Sequence, residues 1–244
     1  MSTTMGYSKN ANLSLPAPCS FELEHYEFIL RRALDLGYNF FTHLQYVKHC
    51  SVQEPFILLR HDIDFSLKRA LQLVRLEHSL GIVSTIFVRI HASGYNLFDL
   101  YNYAILRQFR SWGCEIALHH EPLFAQLTRE EPLRLLHRAK RVLESVLDEP
   151  VHGLVSHTPR LAPYVPDFTV QDLAQCGFCY EAVEPRFTQE NLYLSDANRR
   201  WRRGCLCRHL GQQRRITVLV HPYWWYPMTD SEKYEAIQHL RQGT

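Results

Sequence analysis

The stretch Phe56-Ile57-Leu58-Leu59-Arg60-His61-Asp62-Ile63-Asp64 decides how the rest of the chain is read. It opens as an apolar run, a strand over 56–60, and ends in two carboxylates two residues apart. Side chains at i and i+2 of a strand project the same way. Asp62 and Asp64 therefore stand side by side at the C-terminal edge, where open α/β sheets and barrels keep their chemistry. One carboxylate can hold a metal while its neighbour takes a proton. A helix N-terminus is the plainer account, because Asp64 precedes the apolar-periodic stretch 65–80 and suits an N-cap. That explains one acid and leaves Asp62, His61 and Arg60 without a reason.

Outward from this strand the pattern is that of a parallel sheet. Upstream, apolar residues recur at helical spacing over 21–36 (Leu23, Tyr26, Phe28, Ile29, Ala33, Leu34), and Gly37 closes the helix. Downstream come a helix over about 66–80, ended by Gly81, and a β-branched strand over 82–88. Strand, helix, strand is the unit from which parallel sheets are built. The rhythm continues with a helix over about 97–111, Gly113, a strand over 114–118, and a helix whose start is marked by Thr128 and Glu131 as a capping box. Strands follow at about 151–156, 178–183 and 216–220, with a helix over 167–176 between the first two. No internal repeat or long linker divides the chain. Residues 21–244 are expected to form a single α/β domain, barrel-like or doubly wound, behind a flexible tail of residues 1–20.

Composition narrows the class. At 244 residues, 46% hydrophobic and 21% charged, the chain can bury a sizeable core as an ordinary globular protein. A formal net charge of +2 supplies no long-range attraction to nucleic acid or to a membrane, so neither is expected as a partner. Fourteen histidines raise the expectation of a metal or acid-base site. Seven cysteines, odd in number and scattered, make no disulfide framework and suit a reducing, cytoplasmic setting. The N-terminus has neither the basic nor the apolar region of a signal peptide, and no run reaches the length of a membrane span.

The ends of the expected strands collect the chemistry. After 56–60 come His61, Asp62 and Asp64; after 114–118 come His119, His120 and Glu121; after 151–156 comes His157; after 216–220 comes His221. Any one of these histidines is more often a surface or core residue than a ligand. Their common position shifts the balance, because parallel strands bring their C-terminal ends together. A divalent ion such as Zn²⁺ needs about three N or O ligands and an open place for water. Asp64 with two of His119, His120 and His157 supplies them, while Asp62 is placed to take a proton and His221 to give one.

RHDID at 60–64, IVSTIFV at 82–88, EIALHHE at 115–121, SHTP at 156–159, YLSDANRRWR at 193–202 and VLVHPYWW at 218–225, in this order, resemble the NodB-type polysaccharide deacetylases, carbohydrate esterase family 4. The likeness is greatest to the divergent branch associated with polysaccharide biosynthesis, and it spans about residues 20–228. The resemblance implies a distorted (β/α)7 barrel and a metal-dependent hydrolase that removes acetyl groups from an N-acetylated sugar or polysaccharide precursor. It maps the general base to Asp62, a metal ligand to Asp64 and another to His119. The family's second histidine, four residues on, is Leu123 here, so His120 or His157 has to replace it. His157 is favoured, since adjacent side chains on a strand diverge. The resemblance further makes His221 the acid that protonates the departing amine and Asp196 the residue that orients it. Arg60 or Arg160 would be the arginine paired with the base, and Arg60, Trp201, Arg202 and Trp224 are expected on the substrate side. Trp224 belongs to the aromatic stretch 222–226, which suits stacking on a sugar face and equally suits core packing at a barrel rim.

Two other constellations compete. Cys176 and Cys179 together with Cys205 and Cys207 offer four thiolates for a structural zinc, with buried reduced cysteines as the plainer account. Four arginines surround Trp201 in 198–203, which on a nearly neutral protein suits an acidic sugar or a solvated strand edge better than RNA. The departure at Leu123 leaves a second class of function in view, a catalytically silent sugar-binding or assembly module on the same barrel. A third is hydrolysis of another linear or cyclic amide.

Overall fold

The computed structural model describes residues 19–49, 53–122, 124–157 and 168–226. The chain runs α1 (Leu23–Asp35), β1 (Asn39–Phe41), α2 (His43–Lys48), β2 (Phe56–Ile63), α3 (Leu67–Ser79), β3 (Thr85–Val88), α4 (Leu100–Ser111) and β4 (Glu115–His120). It continues α5 (Phe124–Thr128), α6 (Pro132–Leu147), β5 (Gly153–Ser156), α7 (Val170–Gln175), β6 (Tyr180–Glu181), α8 (Pro185–Thr188), β7 (Leu192–Ser195) and β8 (Arg215–Val220). Seven strands form one sheet in the order β6-β5-β4-β3-β2-β8-β7, and β1 pairs with the N-terminal half of β2 beside β3. Every pairing is parallel.

The expected distorted (β/α)7 barrel is what this sheet forms, with β6 and β7 as its two edges. Its curvature follows from its own contacts. Between β5 and β8 lie four strand spacings, about 19 Å in a flat sheet. Yet His157 after β5 and His221 after β8 bring Nε2 to 3.6 Å and 3.9 Å from the carboxylate of Asp64. Only a sheet curled toward closure puts both there.

Strand periodicity sorts the core into an interior and an outer layer. On β2 all eight side chains are buried, but they divide by parity. Phe56 and Leu58 point inward with Phe87, Ala117, Val155, Tyr180 and Phe187. Ile57 and Leu59 point outward, packing with Ile29, Leu30 and Leu73 of α1 and α3, and Ile63 joins Leu67, Leu106 and Leu143 under α3, α4 and α6. Each such buried aliphatic side chain contributes about 1.5–3 kcal/mol relative to exposure. The helices are set by local signals. Ser66 caps α3 by accepting from the Arg69 N–H, and Asp99 caps α4 by accepting from Tyr101 and Asn102. Gly81 and Gly113 then turn the chain at φ +73° and +83°, where a side chain would be strained.

Several expectations change in detail. β2 extends to Ile63 and β4 to His120, so Asp62 and His119 lie inside strands rather than after them. Thr128 and Glu131 do not make a capping box. Thr128 ends α5 with its hydroxyl on the Phe124 carbonyl, Arg129 takes φ 56°, and Glu131 precedes α6 without a side-chain cap. The strand expected over 178–183 shrinks to Tyr180–Glu181, and that over 82–88 begins at Thr85. β1 and β7 were not anticipated at all. The tail expected at 1–20 lies outside the described residues except for Cys19 and Ser20.

Candidate active site

The inward face of β2 changes character along its length: Phe56, Leu58, then Arg60 and Asp62. Arg60 and Asp62 are 3% and 4% exposed and form a two-pronged pair, with Nε and Nη2 donating to Oδ1 and Oδ2 at 2.7 Å each. The guanidinium also lies 5.0 Å over the Phe87 ring. Burial works against the charge on Asp62, but Arg60, then His119, outweigh it and hold the carboxyl below its usual range. Arg60 thus pairs with the base, and the alternative Arg160 lies outside the described residues.

Past the end of β2, Asp64 is met by histidines from three other strands. Its Oδ1 is 3.2 Å from Nε2 of His119 and 3.6 Å from Nε2 of His157, and its Oδ2 is 3.9 Å from Nε2 of His221. The Nδ1 of His119 lies 3.2 Å from the Val155 carbonyl, which can only accept, and this contact directs Nε2 at the carboxylates. Asp64 Oδ1 is buried and accepts no hydrogen bond among the described residues. Burial alone would protonate this carboxyl; the imidazoles of His119, His221 and His157 reverse that and hold it well below the usual carboxylate range. Burial in turn pushes the His157 imidazole down to about 3, against the pull of Asp64, so the ring is neutral.

One ligand atom each from Asp64, His119 and His157 lies within 4.8 Å of the others. Tetrahedral bonds of about 2.0–2.1 Å from N and O ligands give ligand-to-ligand edges of about 3.4 Å, which the 3.2 and 3.6 Å separations bracket. An orphaned carboxylate oxygen, two imidazole Nε2 atoms turned toward it and a side-chain exposure of 12–15% at His157 and Asp64 fit a divalent ion reachable from solvent.

On the other side, Asp196 is fully buried at the end of β7 and accepts from Nδ1 of His221 at 2.6 Å, from the His221 backbone N–H at 3.0 Å and from the Trp225 indole at 2.8 Å. Burial opposes protonation of His221, but Asp196, Asp64 and Asp62 prevail and push it up to about 9. Its Nε2 faces the same opening, 13% exposed.

The remaining expected residues separate. His120 follows His119 by one position and points to the outer face, 5.6 Å from the Phe168 ring, away from Asp64. His61 also faces outward, where Nε2 meets Glu77 at 2.8 Å in a network completed by Tyr26 and Ser84. Trp201 is half-buried, stacked on Phe21 at 6.2 Å and edge-on to Trp225, and Trp224 is 7% exposed within the outer core. Arg202 is exposed in the β7–β8 connection. Residues not anticipated complete the rim. Arg89 pairs with Glu121 at 2.5 Å and donates to the Asp64 carbonyl at 3.2 Å, and the Tyr95 hydroxyl donates to the Ile63 carbonyl at 2.7 Å. Glu121, next to the HH pair, was the one sequence signal for this clamp.

No family model matches the sequence, and no curated protein does. Among solved structures, several align with this chain. The deacetylase PplD of Streptococcus pyogenes, in complex with acetate, is 12% identical over 86% of this chain and 84% of that one, with a TM-score of 0.44. The chitin deacetylase of the fungal pathogen Colletotrichum lindemuthianum is 15% identical over 78% and 84%, TM-score 0.44. The peptidoglycan deacetylase PdaC of Bacillus subtilis is 16% identical over 78% and 86%, TM-score 0.44. Its structural neighbours are deacetylases.

Proposed function

We propose that this chain is a metal-dependent hydrolase that removes acetyl groups from N-acetylated sugars. The observation that carries the reading is the convergence on one point, from five strand ends, of Asp64, His119 and His157 on one side and the Asp62 carboxylate and the His221–Asp196 pair on the other. Asp64, His119 and His157 would hold a divalent ion, with Zn²⁺ best suited to an Asp-His-His set, and it would supply Lewis acidity toward a water and a carbonyl. Asp62, kept ionised by Arg60, accepts the proton of the attacking water. His221, charged at neutral pH, donates from Nε2 to the nitrogen that leaves as the sugar amine, and Asp196 holds the ring on its Nδ1 side. Amide hydrolysis needs both transfers, and here the two groups differ in charge state as the task requires.

The motif order across 60–225 supports an acetamido sugar as the substrate and a polysaccharide precursor as its source. The experiment is acetate release from a panel of N-acetylated sugars and cyclic amides by the zinc-loaded protein. Asp62→Asn should abolish release while zinc stays bound, and Asp64→Ala should lose the zinc. Release unaffected by Asp62→Asn would overturn the proposal, as would a protein that binds no divalent metal at this site. No helix among the described residues is long and apolar enough to cross a membrane, and a cytoplasmic setting is proposed from cysteine usage.

A further inference from the structure

A second set of metal-type ligands lies outside the barrel mouth. Cys19 sits just before α1 and His25 in its first turn, while Cys205 precedes and Cys207 lies within a short 3-10 turn, Leu206–Arg208, in the β7–β8 connection. Cys19 Sγ is 3.5 Å from Cys207 Sγ, and His25 Nε2 is 3.4 Å from Cys205 Sγ; one ligand atom of each of the four lies within 4.8 Å of the others. None of these cysteines is in a disulfide. The rival grouping of Cys205 and Cys207 with Cys176 and Cys179 does not occur. Cys176 is buried in the core under α3, α4 and α6, and Cys179 is exposed near His152 at the β6 edge.

Three features point to an ion. A tetrahedral zinc with bonds of about 2.3 Å to sulfur and 2.0–2.1 Å to nitrogen needs S–S edges of about 3.8 Å and S–N edges of about 3.6 Å, close to the 3.5 and 3.4 Å found. His25 is 4% exposed, yet Nδ1 has no partner and Nε2 faces only sulfur, which is poor satisfaction for a buried imidazole. Cys205 and Cys207 are 2% and 8% exposed, whereas Cys19 is half-buried and gives the cluster an approach from solvent. We infer that Cys19, His25, Cys205 and Cys207 form a structural Cys3His site for Zn²⁺, separate from the barrel-mouth site. It ties α1 to the connection that leads into β8. Three thiolates and a neutral imidazole around Zn²⁺ leave one negative charge, next in sequence to Arg208 and close after Arg202 and Arg203.

The test uses the full chain with Asp64→Asn, which removes a barrel-mouth ligand so that the two sites are counted apart. After zinc loading and a wash, about one zinc per chain should remain by elemental analysis, and X-ray absorption should show about three sulfurs and one nitrogen around it. Adding Cys207→Ser should remove that zinc. Since a variant in this packed corner can fail to fold, the absorption spectrum of the Asp64→Asn protein decides by itself. A zinc shell of oxygen and nitrogen only, no retained zinc, or a disulfide among these cysteines in a peptide map of freshly purified protein would each overturn the inference.

Discussion

Replacing Arg60 by Met removes the only charge that compensates Asp62 from within its own strand. Both side chains are almost fully buried, 3% and 5% exposed, and share two 2.7 Å hydrogen bonds. Removing one partner of such a pair leaves an uncompensated buried carboxylate and costs about 3–5 kcal/mol. That is a large part of the 5–15 kcal/mol typical of a folded domain. For a chain of this size it corresponds to a fall in Tm of about 6–20 °C. The pH dependence identifies the cause. In the parent protein the folded-state pKa of Asp62 is lowered, so its contribution is present above the unfolded pKa and is lost as pH falls through the folded value. In Arg60→Met, burial is unopposed by Arg60 and the folded pKa rises, so ionisation then favours unfolding. The difference between the two proteins should have its full size by about pH 7 and shrink as pH falls through and below the usual carboxylate range. The assay is urea unfolding of metal-free protein by circular dichroism across that range. Arg60→Met/Asp62→Asn should recover more than half of the loss. A cost under about 1 kcal/mol, or one independent of pH, would refute the pairing argument.

His157→Ala should lower zinc affinity at the barrel mouth by at least 10-fold, whereas His120→Ala should leave zinc binding unchanged; titration calorimetry on a chain lacking Cys207 separates the sites. His221→Ala should reduce the rate of acetate release by about 10²–10⁴, and Asp196→Asn should move the alkaline limb of the pH–rate profile to lower pH, because Asp196 is the largest of the charges that raise His221. Glu77→Leu leaves Tyr26, His61 and Ser84 without their shared acceptor and should destabilise by about 2–4 kcal/mol, measured by urea unfolding, with acetate release per folded molecule unchanged because that network faces the helices.

The alternation of strand and helix and the clustering of polar residues at strand ends were legible because both follow from periodicities of two and 3.6. The same alternation separated His119 from His120, since neighbours on a strand cannot both face the interior. What periodicity could not show is which face is inside. His61 and Asp62 look equivalent in RHDID, and only the packing of Ile57 and Leu59 against α1 assigns His61 to the helices. β1 and β7 are short and only partly buried, so neither carries the fully buried run that marks β3 and β5, yet β7 delivers Asp196. Trp224 stood out beside Trp225 with nothing to tell them apart, and it is Trp225 whose indole reaches Asp196. The thiol cluster escaped because its spacings, C-x5-H and C-x-C, are not those of a zinc knuckle, and because its halves come from opposite ends of the chain.

The strict parity of β2 has a consequence for how this protein can change. Substitutions along the strand act one at a time, but deleting or inserting a single residue within it exchanges the two faces as a block. Asp62 would then turn toward Glu77, placing two buried carboxylates together, while His61 and Ile63 would line the mouth in place of the base. Lineages of this barrel can therefore vary in the connections that follow the strands, but the length of β2 between Phe56 and Asp64 is a quantity they cannot drift through.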